Sequence, residues 1–203
     1  MILSHKYQFV CLNPPKTGTG FREKLLKNYS DISVKTLDGE KLKLRHWSST
    51  QASDYIKSIN KDPNDYYWFT FVRNPWERLI SWINMQQNHT LKKETYIRET
   101  TQDYNSRITE IINKNQFKDY IYRDGKLIDF IGSIENITED LGLVLNKLNI
   151  DIPIGSREDK YKKDFKDDIR DNMSQEVIEM IADVEKDVIK LNKYKYTSNN
   201  FTI

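Results

Sequence analysis

Apolar positions along the chain alternate between short unbroken runs and helical spacing. Tyr7 to Leu12 (YQFVCL) predicts a short buried strand. The turn-rich segment Asn13 to Gly20 (NPPKTGTG) follows it, and Phe21 to Asn28 then predicts a helix with Phe21, Leu25 and Leu26 at helical spacing. Ile32 to Leu44 reads as extended, with Asp38-Gly39 as a hairpin turn. Ser48 to Asn60 reads as a helix capped by Ser48 or Ser49. Tyr66 to Val72 (YYWFTFV) is apolar and aromatic throughout, the pattern of a central strand covered on both faces.

The second half continues the alternation. Asn74 to Gln87 predicts a helix whose buried stripe is Trp76, Leu79, Ile80 and Ile83. Asn74 caps it, Pro75 sits where a missing N–H costs nothing, and Glu77 completes a capping-box-like pattern. Residues 89–125 read as polar helices of weak periodicity. Leu127 to Ile134 predicts a strand and Thr138 to Leu148 a helix. After a loop at Asp151 to Ser156 and a charge-dense stretch from Arg157 to Asp171, Ser174 to Leu191 predicts one long helix. Val177, Ile178, Ile181, Val184, Val188 and Leu191 lie along one of its sides. Strands alternating with helices, without repeat or linker, predict an α/β three-layer sandwich with a mainly parallel central sheet, as a single domain over residues 1–203.

Composition narrows the function. The 203 residues are 31% charged and only 37% hydrophobic, but 12% are aromatic, so a sizeable core is within reach. Net charge is +2, from 32 basic and 30 acidic residues. No overall field favours nucleic acid or an anionic membrane, so an anionic ligand has to be held by a local site. The one cysteine, Cys11, forms no internal disulfide and sits in an apolar run. Met1 to Lys6 holds no hydrophobic signal region, and no apolar stretch approaches spanning length, so the expectation is no membrane span and a cytosolic setting. The sequons at Asn28, Asn88, Asn136 and Asn200 are then chance products of an Asn-rich chain.

Candidate chemistry starts at Pro15-Lys16-Thr17-Gly18-Thr19-Gly20. A loop from strand to helix aims backbone N–H groups at one point, the helix end adds partial positive charge, and Lys16 adds a full one. The lysine precedes the glycines, so this is not the ATP-binding G-x-x-x-x-G-K-[ST] pattern with its magnesium-holding hydroxyl. Arg73 stands just past the predicted central strand, where ligands of open α/β sheets bind, and a guanidinium there suits a phosphate dianion. Ser81, two turns along the next helix, offers a hydroxyl to the same anion.

The segments PKTGTG and FTFVRNPWERLISW resemble the 5′-phosphosulfate loop and the 3′-phosphate motif of sulfotransferases that use 3′-phosphoadenosine 5′-phosphosulfate (PAPS). Arg45-His46-Trp47-Ser48 resembles the histidine segment of Golgi-type carbohydrate sulfotransferases and their bacterial relatives. The run Phe130 to Asp140 resembles their strand-to-helix segment, and Tyr161 to Tyr196 their tyrosine-rich close. Thr19-Gly20 departs from the family's two hydroxyl or small residues, and Ser133 stands where an arginine is common. The resemblance implies a P-loop-like sulfotransferase fold and a PAPS donor with no metal requirement. It also implies an acceptor hydroxyl, on a carbohydrate. Lys16, with the amides of Thr17, Gly18, Thr19 and Gly20, would hold the 5′-phosphosulfate. Arg73 and Ser81 would hold the 3′-phosphate, and Ser156 and Arg157 would close over it.

A base for the hydroxyl is needed. His46, between a strand-like run and a helix start, has an ordinary pKa suited to proton transfer near neutrality, and the family places a histidine here. Glu135, near a strand end, is the alternative. His5, before the first strand, fits an exposed position, and His89 sits past a helix end, where a cation favours the dipole. Two other function classes compete: a phosphate-loop nucleotide or nucleoside kinase, which needs the Gly-Lys-Ser/Thr loop absent here, and a non-catalytic module binding phosphoadenosine ligands.

Overall fold

A computed structural model of the chain describes residues 1–32, 44–91, 108–113, 116–155, 170–171 and 173–197. The first elements are β1 (Ile2–Ser4), β2 (Phe9–Leu12), α1 (Thr19–Leu26), α2 (Ser49–Ser58), β3 (Tyr67–Val72) and α3 (Pro75–Leu91). They are followed by α4 (residues 108–113), α5 (Lys118–Ile121), β4 (Tyr122–Arg123), β5 (Lys126–Leu127) and β6 (Phe130–Ser133). The last are α6 (Ile137–Lys147), α7 (Gln175–Val184) and α8 (Lys186–Asn192). The chain divides into two compact units, Met1–Val72 with Phe117–Glu158 and Arg73–Gln116 with Asp159–Ile203.

The first unit is built on a four-stranded sheet of order β1-β2-β3-β6. The pairings β2–β3 and β3–β6 are parallel, and β1–β2 is antiparallel. The expected mainly parallel sheet is therefore mixed. β1 falls in the Met1 to Lys6 stretch that carried no predicted element, and it turns back into β2 through a tight turn in which Gln8 has φ 49°. The strands are buried on both faces, and their alternation sorts the core. Ile2, Phe9, Cys11, Phe69 and Phe71 pack with Leu26 of α1 and with Leu141 and Val144 of α6. Leu3, Val10, Leu12 and Trp68 pack with Ala52 and Ile56 of α2 and with Tyr120. β3 lies between β2 and β6, which is the interior position its aromatic run predicts.

Local signals explain most boundaries. Ser48 and Gln51 form a reciprocal capping box on α2. The predicted polar helices of 89–125 are corrected at their end. A β4–β5 hairpin occupies 122–127, turning through Asp124 and Gly125 at φ 51° and 76°, an Asp-Gly signal the sequence already carried. The Asp38-Gly39 hairpin lies outside the described residues.

The second unit packs Trp76, Leu79, Ile80 and Ile83 of α3 against Ile108, Ile112, Val177, Ile178, Ile181 and Tyr196. Asn74 caps α3 through the N–H of Glu77, and the Glu77 carboxylate binds Arg170 and faces Arg73. The predicted single helix Ser174 to Leu191 is two helices broken at Glu185, which leaves helical geometry and buries its carboxylate 3.3 Å from the equally buried Arg78 guanidinium. Leu191, expected on the buried side, is exposed. No helix among the described residues is long and apolar enough to cross a membrane.

Gly132 on β6 shows how tightly the sheet is filled. A Cβ there would stand 2.7 Å from Cε1 of Phe71, which is fully buried. Gly132→Ala is expected to cost about 1–3 kcal/mol by overpacking, read as a lower urea midpoint with an unchanged m-value.

Candidate active site

The turn after β2 carries the phosphate-loop candidates. α1 starts at Thr19, two residues before the predicted start, so the loop ends inside its first turn. Lys16 has φ 68° and Gly18 φ 74°. For lysine that left-handed backbone is costly, and such residues gather at ligand clamps. No side chain caps α1. The Thr17 and Thr19 hydroxyls turn back instead to the Pro14 carbonyl, at 2.8 and 3.4 Å. The N–H groups of Phe21 and Arg22 bond the Gly18 carbonyl, while those of Thr19 and Gly20 belong to the first helical turn, which has no intrahelical acceptor to offer them. An uncapped helix start beside Lys16 is a fitting cradle for a phosphate or sulfate group. Gly20 is exposed, and its own contacts leave room for a side chain, so its small size is not required by packing.

His46 lies in the same unit, at the end of a short 3-10 turn before α2. Its Nδ1 is 2.7 Å from the Asn13 carbonyl, and its own carbonyl accepts from the Tyr120 hydroxyl at 3.0 Å. A carbonyl accepts and cannot donate, so Nδ1 carries the proton, and the neutral ring keeps its lone pair on Nε2. That is the tautomer a general base needs. The residue as a whole is open to solvent, yet its covered Nδ1 edge matters: burial pushes the pKa below the ordinary histidine value, against an upward pull from the Asn13 bond. Glu135, the alternative base, is tied to its own turn. Its carboxylate accepts from the Ser133 hydroxyl at 2.5 Å, and its N–H donates back to the same hydroxyl at 3.1 Å. The Ser133 N–H donates to Asp140 at 2.6 Å, so Ser133 organises the β6–α6 turn where an arginine was the familiar residue.

Arg73 and Ser81 belong to the second unit. Arg73 is half-buried, 3.8 Å from the Glu77 carboxylate, while Arg170 Nε is 3.0 Å from the same group. Ser81 is buried one helical turn beyond Glu77, so the two share one face of α3, while Arg73 precedes the helix. Arg170, inside the charge-dense stretch, is a cation that pattern reading passed over. Ser156 and Arg157 lie outside the described residues. Among those residues no group of three or more His, Cys, Asp or Glu side chains is placed to hold a metal ion.

A family model described as "Sulfotransferase family" matches residues 1–197. The chain belongs to the sulfotransferase family. Its general activity is therefore sulfuryl transfer, with a hydroxyl-bearing acceptor implied. This sulfotransferase is also similar to an uncharacterized protein of Archaeoglobus fulgidus, 27% identical over 107 residues, which cover 48% of this chain and 84% of that protein. No solved structure matches the chain.

Sequence reasoning missed two residues that shape this sulfotransferase's loop. Arg22 is completely buried, with Nε and Nη2 on Asn13 Oδ1 at 3.3 and 3.0 Å, Nη2 on the Thr17 hydroxyl at 3.1 Å, and Nη1 on the Thr17 carbonyl. Asn13 is likewise completely buried. The spacing Thr19, Arg22, Leu26 on the buried face of α1 is the one sequence signal that points to Arg22.

The strained backbone of Lys16 separates conformation from charge. Lys16→Gly and Lys16→Ala both remove the ammonium, but only glycine adopts φ 68° without a Cβ penalty. Lys16→Gly is expected to be more stable than Lys16→Ala by about 1 kcal/mol, while both lose transfer activity. Thermal or urea unfolding of the pair checks the first statement and a transfer assay the second.

Proposed function

We propose that this sulfotransferase takes the sulfuryl group from PAPS and delivers it to a hydroxyl on a carbohydrate, without a metal ion, using residues 1–203 as one catalytic domain. The uncapped α1 start under the strained Lys16 turn carries the proposal. Lys16 and the amides of Thr17, Gly18, Thr19 and Gly20 take the 5′-phosphosulfate, and Arg73 and Ser81 take the 3′-phosphate. Ser156 and Arg157 complete the 3′-phosphate site on the strength of family resemblance. The carbohydrate acceptor rests on the likeness of the His46 segment to carbohydrate sulfotransferases. A P-loop-like topology and a cytosolic setting go with this reading.

The reaction is an in-line displacement at sulfur. A bond forms from the acceptor oxygen to sulfur, and the bond from sulfur to the bridging phosphate oxygen breaks, releasing 3′-phosphoadenosine 5′-phosphate (PAP). The acceptor proton passes to Nε2 of His46. Lys16 offsets the charge that builds on the bridging oxygen, a fixed charge placed where it develops. Because its pKa is lowered, His46 stays neutral, and so able to accept the proton, to a lower pH than an ordinary histidine.

Calorimetry with PAP in EDTA tests the donor. Heat and an upward melting shift are expected; neither at millimolar PAP would overturn the reading, and preference for ATP–magnesium would favour a kinase. His46→Ala is expected to lower turnover about 10²–10⁴-fold with PAP affinity unchanged. In the wild type kcat/KM falls as pH drops through a value below that of ordinary histidine, and the variant lacks that acid limb. Full turnover with the limb intact would move the base to Glu135.

A further inference from the structure

We infer that Arg22 is a positioning residue that, through Asn13, ties the backbone of the Lys16 loop to the orientation of the His46 imidazole, so that donor cradle and base are set as one piece. The inference rests on the reading of the site given above. Its basis is a chain of contacts within the first unit. The Arg22 guanidinium spans Asn13 and Thr17, the residues that bracket Pro14, Pro15 and Lys16. Its central carbon lies 4.9 Å from the centre of the Phe71 ring, so the sheet backs it on one face. Thr17 passes the constraint on, accepting from Arg22 and donating to the Pro14 carbonyl. With both ends of the turn held, Lys16 is kept at its left-handed φ.

Asn13 joins this bracket to the base. Its side-chain oxygen receives two Arg22 N–H groups, and its main-chain carbonyl receives His46 Nδ1 at 2.7 Å. The cost of this arrangement is visible: Asn13 Nδ2 is buried without a hydrogen-bond partner. A residue kept for packing alone would avoid that cost. Asn13 has to offer an acceptor to Arg22 in one direction and a carbonyl to His46 in another. A shift of the Asn13 backbone, which Arg22 holds through the side chain, therefore moves both the start of the turn and the proton acceptor of Nδ1.

Arg22→Lys tests this, because it keeps a positive charge but loses the planar fork that spans two residues. The first measurement is the ¹⁵N shifts of His46, read by NMR on wild type and variant. The wild type should carry its proton on Nδ1; a proton on Nε2 would overturn the inference without any variant. The second is PAP affinity by calorimetry. In Arg22→Lys we expect His46 to lose the Nδ1–H tautomer and PAP affinity to fall at least tenfold. A role confined to folding would lower the melting temperature and leave the tautomer in place, which also overturns it. Thr17→Val, of the same shape, removes one anchor of the fork and covers the case in which Arg22→Lys does not fold. The same two changes, smaller, are expected there, and no change in either contradicts the inference. Should the wild type fail to bind PAP, the donor assignment falls, while the His46 tautomer in the Arg22 variant still decides the coupling.

Discussion

A guanidinium shut away from water must hydrogen-bond along its whole edge, and Arg22 does so on Asn13 and Thr17. Around it the first unit takes its form. Phe71 of β3 lies against one face of the guanidinium, and on its other contacts it leaves no space for a side chain at residue 132 of β6. The turn between β2 and α1 is stretched over the edge of the fork. That is why a lysine can be held in a backbone conformation it disfavours, and why the first turn of α1 has no side-chain cap. The surplus N–H groups and the Lys16 charge are the part of the fold that suits the transfer of an anionic group.

The second unit shows a different use of charge. Arg78 and Glu185 are a buried pair at the point where α7 gives way to α8, and the break lets the carboxylate reach inward. Such a pair adds little net stability, but removing one partner strands the other in the core. Arg73, Glu77 and Arg170 form a half-buried cluster in which one carboxylate is shared by two cations.

Much of this was legible in the sequence because the signals were local. The Ser48 cap, the Asn74 cap and the aromatic run of β3 depend on neighbours a few residues away, and each element lies where expected. What was missed depends on distant partners or on very short elements. β1 has three residues, too few for an alternation to be seen. The apolar spacing of α7 continues past Glu185, so the break is invisible until Arg78 is beside it. An arginine in a first helix turn reads as a surface residue; its burial needs Asn13 and Phe71 to be brought together by the fold. The Asp124-Gly125 turn was the exception, a local signal passed over because its strands have two residues each. The histidine segment was found by resemblance, but the tautomer of His46 follows only from the carbonyl that faces Nδ1.

The most direct measurement is a crystal structure of the complex with PAP, grown in EDTA. The account predicts the 5′-phosphate on the amides of Thr19 and Gly20 with Lys16 beside it, the 3′-phosphate on Arg73 and Ser81, and His46 still bonded to the Asn13 carbonyl. A 5′-phosphate bound away from the α1 start, or a Lys16 turn that abandons its left-handed conformation to bind it, would contradict the account.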